Sequence, residues 1–180
     1  AAFCRYSHVI LEFWGMIRLD SFPQMAWPFA FSKAEISALV RRARSLGLEI
    51  IPMLQHLGHA SMSRQGASGK HVVLDQNPAR ALLFEPDGWT WCISNPETRR
   101  VLRALRQELI ELCGSGKYFH LGCDESYSYA TCPICSGKDT RKLLADYDEM
   151  MASIKRFSNS GHLHIGSVDH MGRVGLTTPI

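Results

Sequence analysis

No long apolar run, no block of one charge sign and no phosphate-binding glycine motif occurs in this sequence of 180 residues. Each absence removes a class of function. The apolar stretches fall well short of the roughly 18 to 20 residues that span a bilayer, and no charged start, apolar run and small-residue cleavage site opens the chain. No membrane or secretion signal is therefore visible, and localisation stays open. With 20 basic against 17 acidic residues the formal charge is +3, and Lys and Arg gather nowhere, so nucleic acid is not an expected partner. No Gly-x-Gly-x-x-Gly or Walker pattern follows an apolar segment, which counts against nucleotide binding. Cys4, Cys92, Cys113, Cys123, Cys132 and Cys135 are dispersed through a chain large enough to fold without staples. They read as mostly free thiols, which favours the cytoplasm. Only Cys132-Pro-Ile-Cys135 has a spacing with chemistry of its own: half a zinc site, a redox pair or a loop disulfide.

With 46% hydrophobic and 21% charged residues, the composition is that of one soluble domain over residues 1–180 with a sizeable core. Strand and helix signals alternate. His8 to Phe13 is a short apolar run of the kind buried parallel strands show, ending at Glu12, Trp14 and Gly15. Ser32 and Glu35 form a capping box for a helix whose Ile36, Leu39, Val40, Ala43 and Leu46 share a face, with Gly47 as its left-handed cap. Leu48 to Leu54 reads as a second strand, followed by Gln55, His56 and His59. After a long polar segment, Asn95-Pro96 starts a second helix carrying Val101, Leu102, Leu105, Leu109 and Leu112, closed by Gly114. Lys117 to Gly122 is the third strand, Thr140 to Phe157 the third helix and His162 to Gly166 the fourth strand.

This βαβαβαβ order predicts parallel strands, either in an open doubly wound sheet or in part of a (β/α)8 barrel. In both, chemistry gathers beyond the carboxyl ends of the strands. Glu12 and Trp14, His56 and His59, Asp124 and Glu125, and Asp169 and His170 fall there. Asp124 and Glu125 are neighbours, so both address one ligand only where the strand breaks into its loop, a bend that Gly122 permits. Two carboxylates at the end of a buried strand are costly unless partnered. His59 is placed to reach Glu125, and with Glu12 behind it forms a carboxylate–His–carboxylate chain. Trp14, Trp27, Trp89 and Trp91 lie in or beside loops, where they either cap the core or offer the flat faces that sugar rings stack on.

Tyr118-Phe119-His120-Leu121-Gly122-Cys123-Asp124-Glu125 resembles the His-x-Gly-Gly-Asp-Glu signature of family 20 glycoside hydrolases, the β-N-acetylhexosaminidases. Ile51-Pro52 with Gly58-His59 resembles that family's Ile-Pro-Glu-x-Asp-x-Pro-Gly-His segment. The order of elements resembles strands two to five of the family's TIM barrel, about half of a (β/α)8 fold. The resemblance implies substrate-assisted hydrolysis, an exception to the usual two-carboxylate scheme. Glu125 is then the general acid, Asp124 holds the 2-acetamido N–H, the acetamido oxygen is the nucleophile and His59 polarises the acid. Glu12, Trp14, His56, His120 and Asp169 are the expected substrate-binding residues. The substrate is a glycoside of N-acetylglucosamine or N-acetylgalactosamine, and no cofactor is implied.

The sequence departs from the family pattern at Cys123, in place of the second Gly, and at Met53, Gln55 and Leu57, in place of Glu, Asp and Pro. A barrel takes roughly 200 to 250 residues, so self-association or a partner supplying the other half is expected. Two alternatives stand beside the enzyme: a carbohydrate-binding or scaffold relic of the barrel, and a zinc-binding domain using His120, Cys123, Cys132 and Cys135.

Overall fold

The computed structural model describes residues 2–60, 70–114, 116, 118–123, 125–153 and 163–166 of the chain. Four strands and three helices alternate: β1 (His8–Glu12), α1 (Lys33–Ser45), β2 (Glu49–Met53), α2 (Pro96–Cys113), β3 (Tyr118–Gly122), α3 (Thr140–Ser153) and β4 (Leu163–Gly166). Lys117, His162 and the helix end expected up to Phe157 lie outside the described residues. The strands are all parallel and lie side by side in chain order, β1-β2-β3-β4. A doubly wound sheet reverses its strand order part-way. Continuous winding in one direction is the arrangement of a (β/α) barrel wall.

The helix boundaries follow the capping chemistry. Ser32 Oγ accepts from the Glu35 amide while Glu35 Oε2 accepts from the Ser32 amide, at 3.3 and 2.8 Å, completing the capping box of α1. Asn95 Oδ1 accepts from the Glu97 amide at 2.9 Å and Pro96 opens α2. Ile36, Val40 and Ala43 of α1 are buried, as are Val101, Leu102, Leu105, Leu109 and Cys113 of α2. Leu39 and Leu46, expected on the buried face of α1, are instead exposed. The buried stripe of α1, which packs against β2 and α2, is therefore narrower than the sequence pattern. Among the described residues no helix is long and apolar enough to cross a membrane.

Successive strand residues alternate between the helix side and the opposite face of the sheet. His8, Ile10 and Glu12 lie on that opposite face, in register with Glu49, Ile51 and Met53, and Met53 is in register with His120. His8 Nε2 approaches Glu49 Oε2 at 3.2 Å, and the His8 ring meets the Tyr118 ring edge-on, so this face forms layers across the strands. In a closed barrel it is the face that fills the interior. Here Ile10 is 50% exposed.

The segment after β1 is fastened to both helices by Glu108 of α2. Its carboxylate accepts from the amides of Asp20 and Ser21 at 2.8 and 2.9 Å and from Lys33 Nζ at 3.0 Å. Burial opposes ionisation of Glu108, but the Ser21 hydroxyl, followed by the Asp20 and Ser21 amides and Lys33, outweighs it and holds the carboxyl at about 2, against an ordinary 4.5. A depressed carboxyl stabilises the folded state above its ordinary value and loses that contribution as the pH falls toward 2. The unsubstituted chain should therefore lose about 2 kcal/mol more stability than Glu108→Gln between pH 5 and pH 2, after allowing for screening. Thermal midpoints of the two proteins at both pH values measure it, and parallel curves would remove Glu108 from the acid response.

Candidate active site

The carboxyl end of the sheet is built from three loops that each break sharply from a strand. Trp14 after β1 has φ +37°, His59 after β2 has +52°, and Cys123 and Glu125 after β3 have +79° and +49°. Non-glycine residues in this region cost on the order of 1–3 kcal/mol each and cluster where surrounding structure holds a functional group in place. Gly122 at φ +68° begins the last break. A Cβ there would stand 2.0 Å from Gln55 Oε1 and 3.0 Å from Gln55 Cα.

That close approach places Gln55 as a tie across the sheet. Its Oε1 accepts from the Cys123 amide at 3.0 Å, and its Nε2 donates to Glu12 Oε1 at 2.8 Å. Gln55 is buried, so it cannot swing away from an added methyl group. Gly122→Ala should cost about 2–4 kcal/mol, combining left-handed strain with overpacking. Chemical denaturation would register that loss, whereas an unchanged midpoint would mean that the β3 turn repacks freely.

Glu125 emerges from this turn 35% exposed, with Oε2 at 2.8 Å from Nε2 of His59, whose side chain is 17% exposed. The His59 ring stacks on Trp14 at 5.8 Å and tilts against Trp89 at 4.3 Å. Trp89 Nε1 also donates to the Glu125 carbonyl at 2.7 Å, fixing the backbone that carries the carboxylate. His59 Nδ1 is buried with no hydrogen-bond partner among the described residues. A bare buried donor is rarer than a bare acceptor. The ring proton is therefore assigned to Nε2, which donates to Glu125. A carboxylate so oriented, reachable from solvent and walled by indole rings, can exchange a proton with an oxygen of a bound ligand.

The expected chain through His59 is present on one side only. Glu12 Oε1 accepts from Gln55, and no bond from Glu12 to His59 occurs. His56, expected among the substrate-binding residues, is fully buried. Its Nδ1 donates to the carbonyls of Leu54 and Leu121 at 2.6 and 3.2 Å, tying β2 to β3. His120 is also buried, its Nδ1 accepting from the Gly122 amide at 3.1 Å. Trp14 borders the site through His59. Asp124, Asp169 and His170 lie outside the described residues. The zinc quartet with His120 and Cys123 does not form: Cys132 and Cys135 lie instead beside Cys92 and Glu85. Sequence reasoning left Trp89 open between core and site and saw Gln55 only as a departure from a pattern, because neither contact carries a sequence period.

Comparison with known proteins agrees with the winding of the strands. The pattern described as glycosyl hydrolase family 20, catalytic domain, matches residues 9–165. No curated protein matches the sequence. Among solved structures, the β-N-acetylhexosaminidase of Bacteroides fragilis superposes with a TM-score of 0.71 at 18% identity, covering 99% of this chain and 39% of that one. The enzyme of Streptomyces coelicolor A3(2) gives 0.63 at 20% identity, covering 92% and 34%. The exo β-N-acetylglucosaminidase of Vibrio harveyi, solved in complex with N-acetylglucosamine, gives 0.68 at 16%, covering 92% and 31%. The chain thus spans well under half the length of each of these structures.

Proposed function

The chain belongs to glycosyl hydrolase family 20, and on that premise we propose that it supplies the acid-bearing part of a glycosidase removing terminal β-linked N-acetylhexosamine. The observation that carries the reading is the hydrogen bond between half-exposed Glu125 and His59 at the carboxyl end of the sheet. In the proposed reaction the acetamido oxygen of the substrate attacks the anomeric carbon while Glu125 gives its proton to the departing glycosidic oxygen. Asp124 holds the acetamido N–H as positive charge develops on the resulting ring. Water then attacks the same carbon, and Glu125 takes its proton, restoring the starting state with retained configuration. Trp14 and Trp89 hold His59 and offer aromatic edges to a sugar.

The open face carrying Ile10 and the short span relative to the superposed structures lead to a second part of the proposal. The working site is completed by further barrel strands, from the same polypeptide or from an associated chain. The test is hydrolysis of an aryl N-acetyl-β-glucosaminide against the corresponding glucoside, by this chain and by a longer form. Selective cleavage of the N-acetyl sugar supports the reading. Sugar binding without turnover in both forms would replace it with the non-catalytic one.

A further inference from the structure

Behind the site, the turn following Glu125 folds back onto residues 84–92, and four potential ligands meet there. Glu85, Cys92, Cys132 and Cys135 are all buried, and their ligand atoms lie within 4.8 Å of one another. Cys92 Sγ is 3.4 Å from Cys132 Sγ and 3.7 Å from Cys135 Sγ, and Cys135 Sγ is 3.6 Å from Glu85 Oε1. Zinc–sulfur bonds of about 2.3 Å at tetrahedral angles require sulfurs about 3.8 Å apart. The cluster already has nearly those edges.

We propose that Glu85, Cys92, Cys132 and Cys135 form a structural zinc(II) site, with three thiolates and one carboxylate oxygen as ligands. The carboxylate is prepared for one-point ligation. Its Oε2 accepts from the amides of Thr131 and Cys132 at 2.8 and 2.6 Å and from Thr131 Oγ1 at 3.3 Å, which leaves Oε1 turned to the sulfurs. Such outer contacts orient a ligand as they do in established metal centres. The Cys132-Pro-Ile-Cys135 turn is closed by the Cys135 and Ser136 amides on the Cys132 carbonyl at 2.9 and 2.8 Å, placing both thiols on one side. A disulfide within this turn would leave both Cys92 Sγ and the sulfur-facing Oε1 of Glu85 unused. On binding, the three thiols release their protons to solvent and Glu85 binds as the anion.

Four protein ligands close the coordination shell, so the metal holds structure and leaves no open position for chemistry. It joins Glu85 and Cys92, on the two arms of the bridge between Phe84 and Trp91, to the turn that begins at Glu125. Ser126 Oγ donating to Thr90 Oγ1 at 3.5 Å and Trp89 Nε1 on the Glu125 carbonyl continue the same seam toward the acid. The site stands independently of what the sugar pocket does.

The test starts with metal content of the chain prepared with zinc supplied and thiols kept reduced, where one zinc per chain is expected. Replacement by cobalt(II) should give the absorption of a tetrahedral ion bound by three thiolates. Cys92→Ser, Cys132→Ser and Cys135→Ser should each lose the metal, and Glu85→Gln should weaken it by more than about tenfold. Cys4→Ser and Cys113→Ser should retain it. Because a variant can fail to fold, the unsubstituted protein gives a second measurement. Chelation should release one zinc to a colorimetric indicator and make Cys92, Cys132 and Cys135 react with an alkylating reagent at a denaturant concentration where the zinc-loaded chain protects them. Zinc absent from the unsubstituted protein, zinc retained by Cys92→Ser, an unchanged alkylation pattern, or a Cys132–Cys135 disulfide found under the same reducing preparation would each overturn the site.

Discussion

Replacing Glu125 by Gln should lower hydrolysis of an N-acetyl-β-hexosaminide on the order of 10²- to 10⁴-fold in whichever form is active, with little change in thermal midpoint. The amide keeps the shape of the side chain and an oxygen to accept from His59 Nε2, which lies 2.8 Å from the carboxylate in the native site. It also leaves untouched the Trp89 indole on the Glu125 carbonyl. What it removes is a transferable proton. The loss should be largest for substrates whose leaving alcohol is a poor leaving group, because these depend most on protonation as the glycosidic bond breaks. An activated aryl leaving group should recover much of the first step. Equal losses with good and poor leaving groups would show that Glu125 does not act as the acid. A fall in stability matching the fall in rate would instead make it a structural residue of the β3 turn.

The secondary structure of the barrel wall was legible because periodicity and capping agree in it. Ser32 with Glu35, Asn95 with Pro96 and the apolar run after Gly47 each carry a local physical signal, and each marks the boundary found in the structure to within a residue or two. Periodicity alone made strand order legible only as far as parallel pairing, and it was the family resemblance of the segment ending at Glu125 that pointed to the one-way winding of a barrel found in the structure. The segment between β2 and α2 was not legible. It reads as polar loop, yet Val72, Val73, Trp91, Cys92 and Ile93 are fully buried.

Its order comes from single side chains acting on backbone groups, which leave no repeat. His71 Nδ1 accepts from the Val73 and Leu74 amides, Gln76 Nε2 donates to the carbonyls of Gln24, Ala26 and Val72, and Asn77 Oδ1 accepts from the Ala79 amide at the start of a short 3-10 helix. The same blindness explains the misassigned cysteine cluster. Spacing identified Cys132 and Cys135 as a pair but drew the other two ligands from the nearby strand. In the structure the side chains beside the pair, Cys92 and Glu85, come from residues 40 to 50 positions away in the loop that sequence could not order.

A sharper test of chemistry falls on Asp124, whose neighbours are held on both sides: the Cys123 amide by Gln55 at 3.0 Å and Glu125 by His59 and Trp89. In the proposed mechanism its charge serves only the acetamido group, balancing the cation that forms when the acetamido oxygen closes on the anomeric carbon. Asp124→Asn keeps size and one oxygen acceptor but removes that charge. The expected result is a drop in kcat/KM on the order of 10²- to 10³-fold for the N-acetyl sugar, with residual activity on the unsubstituted hexoside nearly unchanged. The specificity ratio between the two substrates should therefore collapse while the thermal midpoint stays close to that of the unsubstituted protein. Neither a general loss of folding nor loss of the Glu125 proton predicts this pattern, since both lower the two activities together. If the unsubstituted protein cleaved both sugars equally well, or the variant kept the ratio, the acetamido group would not be the nucleophile. A water or another side chain would then have to attack the anomeric carbon beside Glu125.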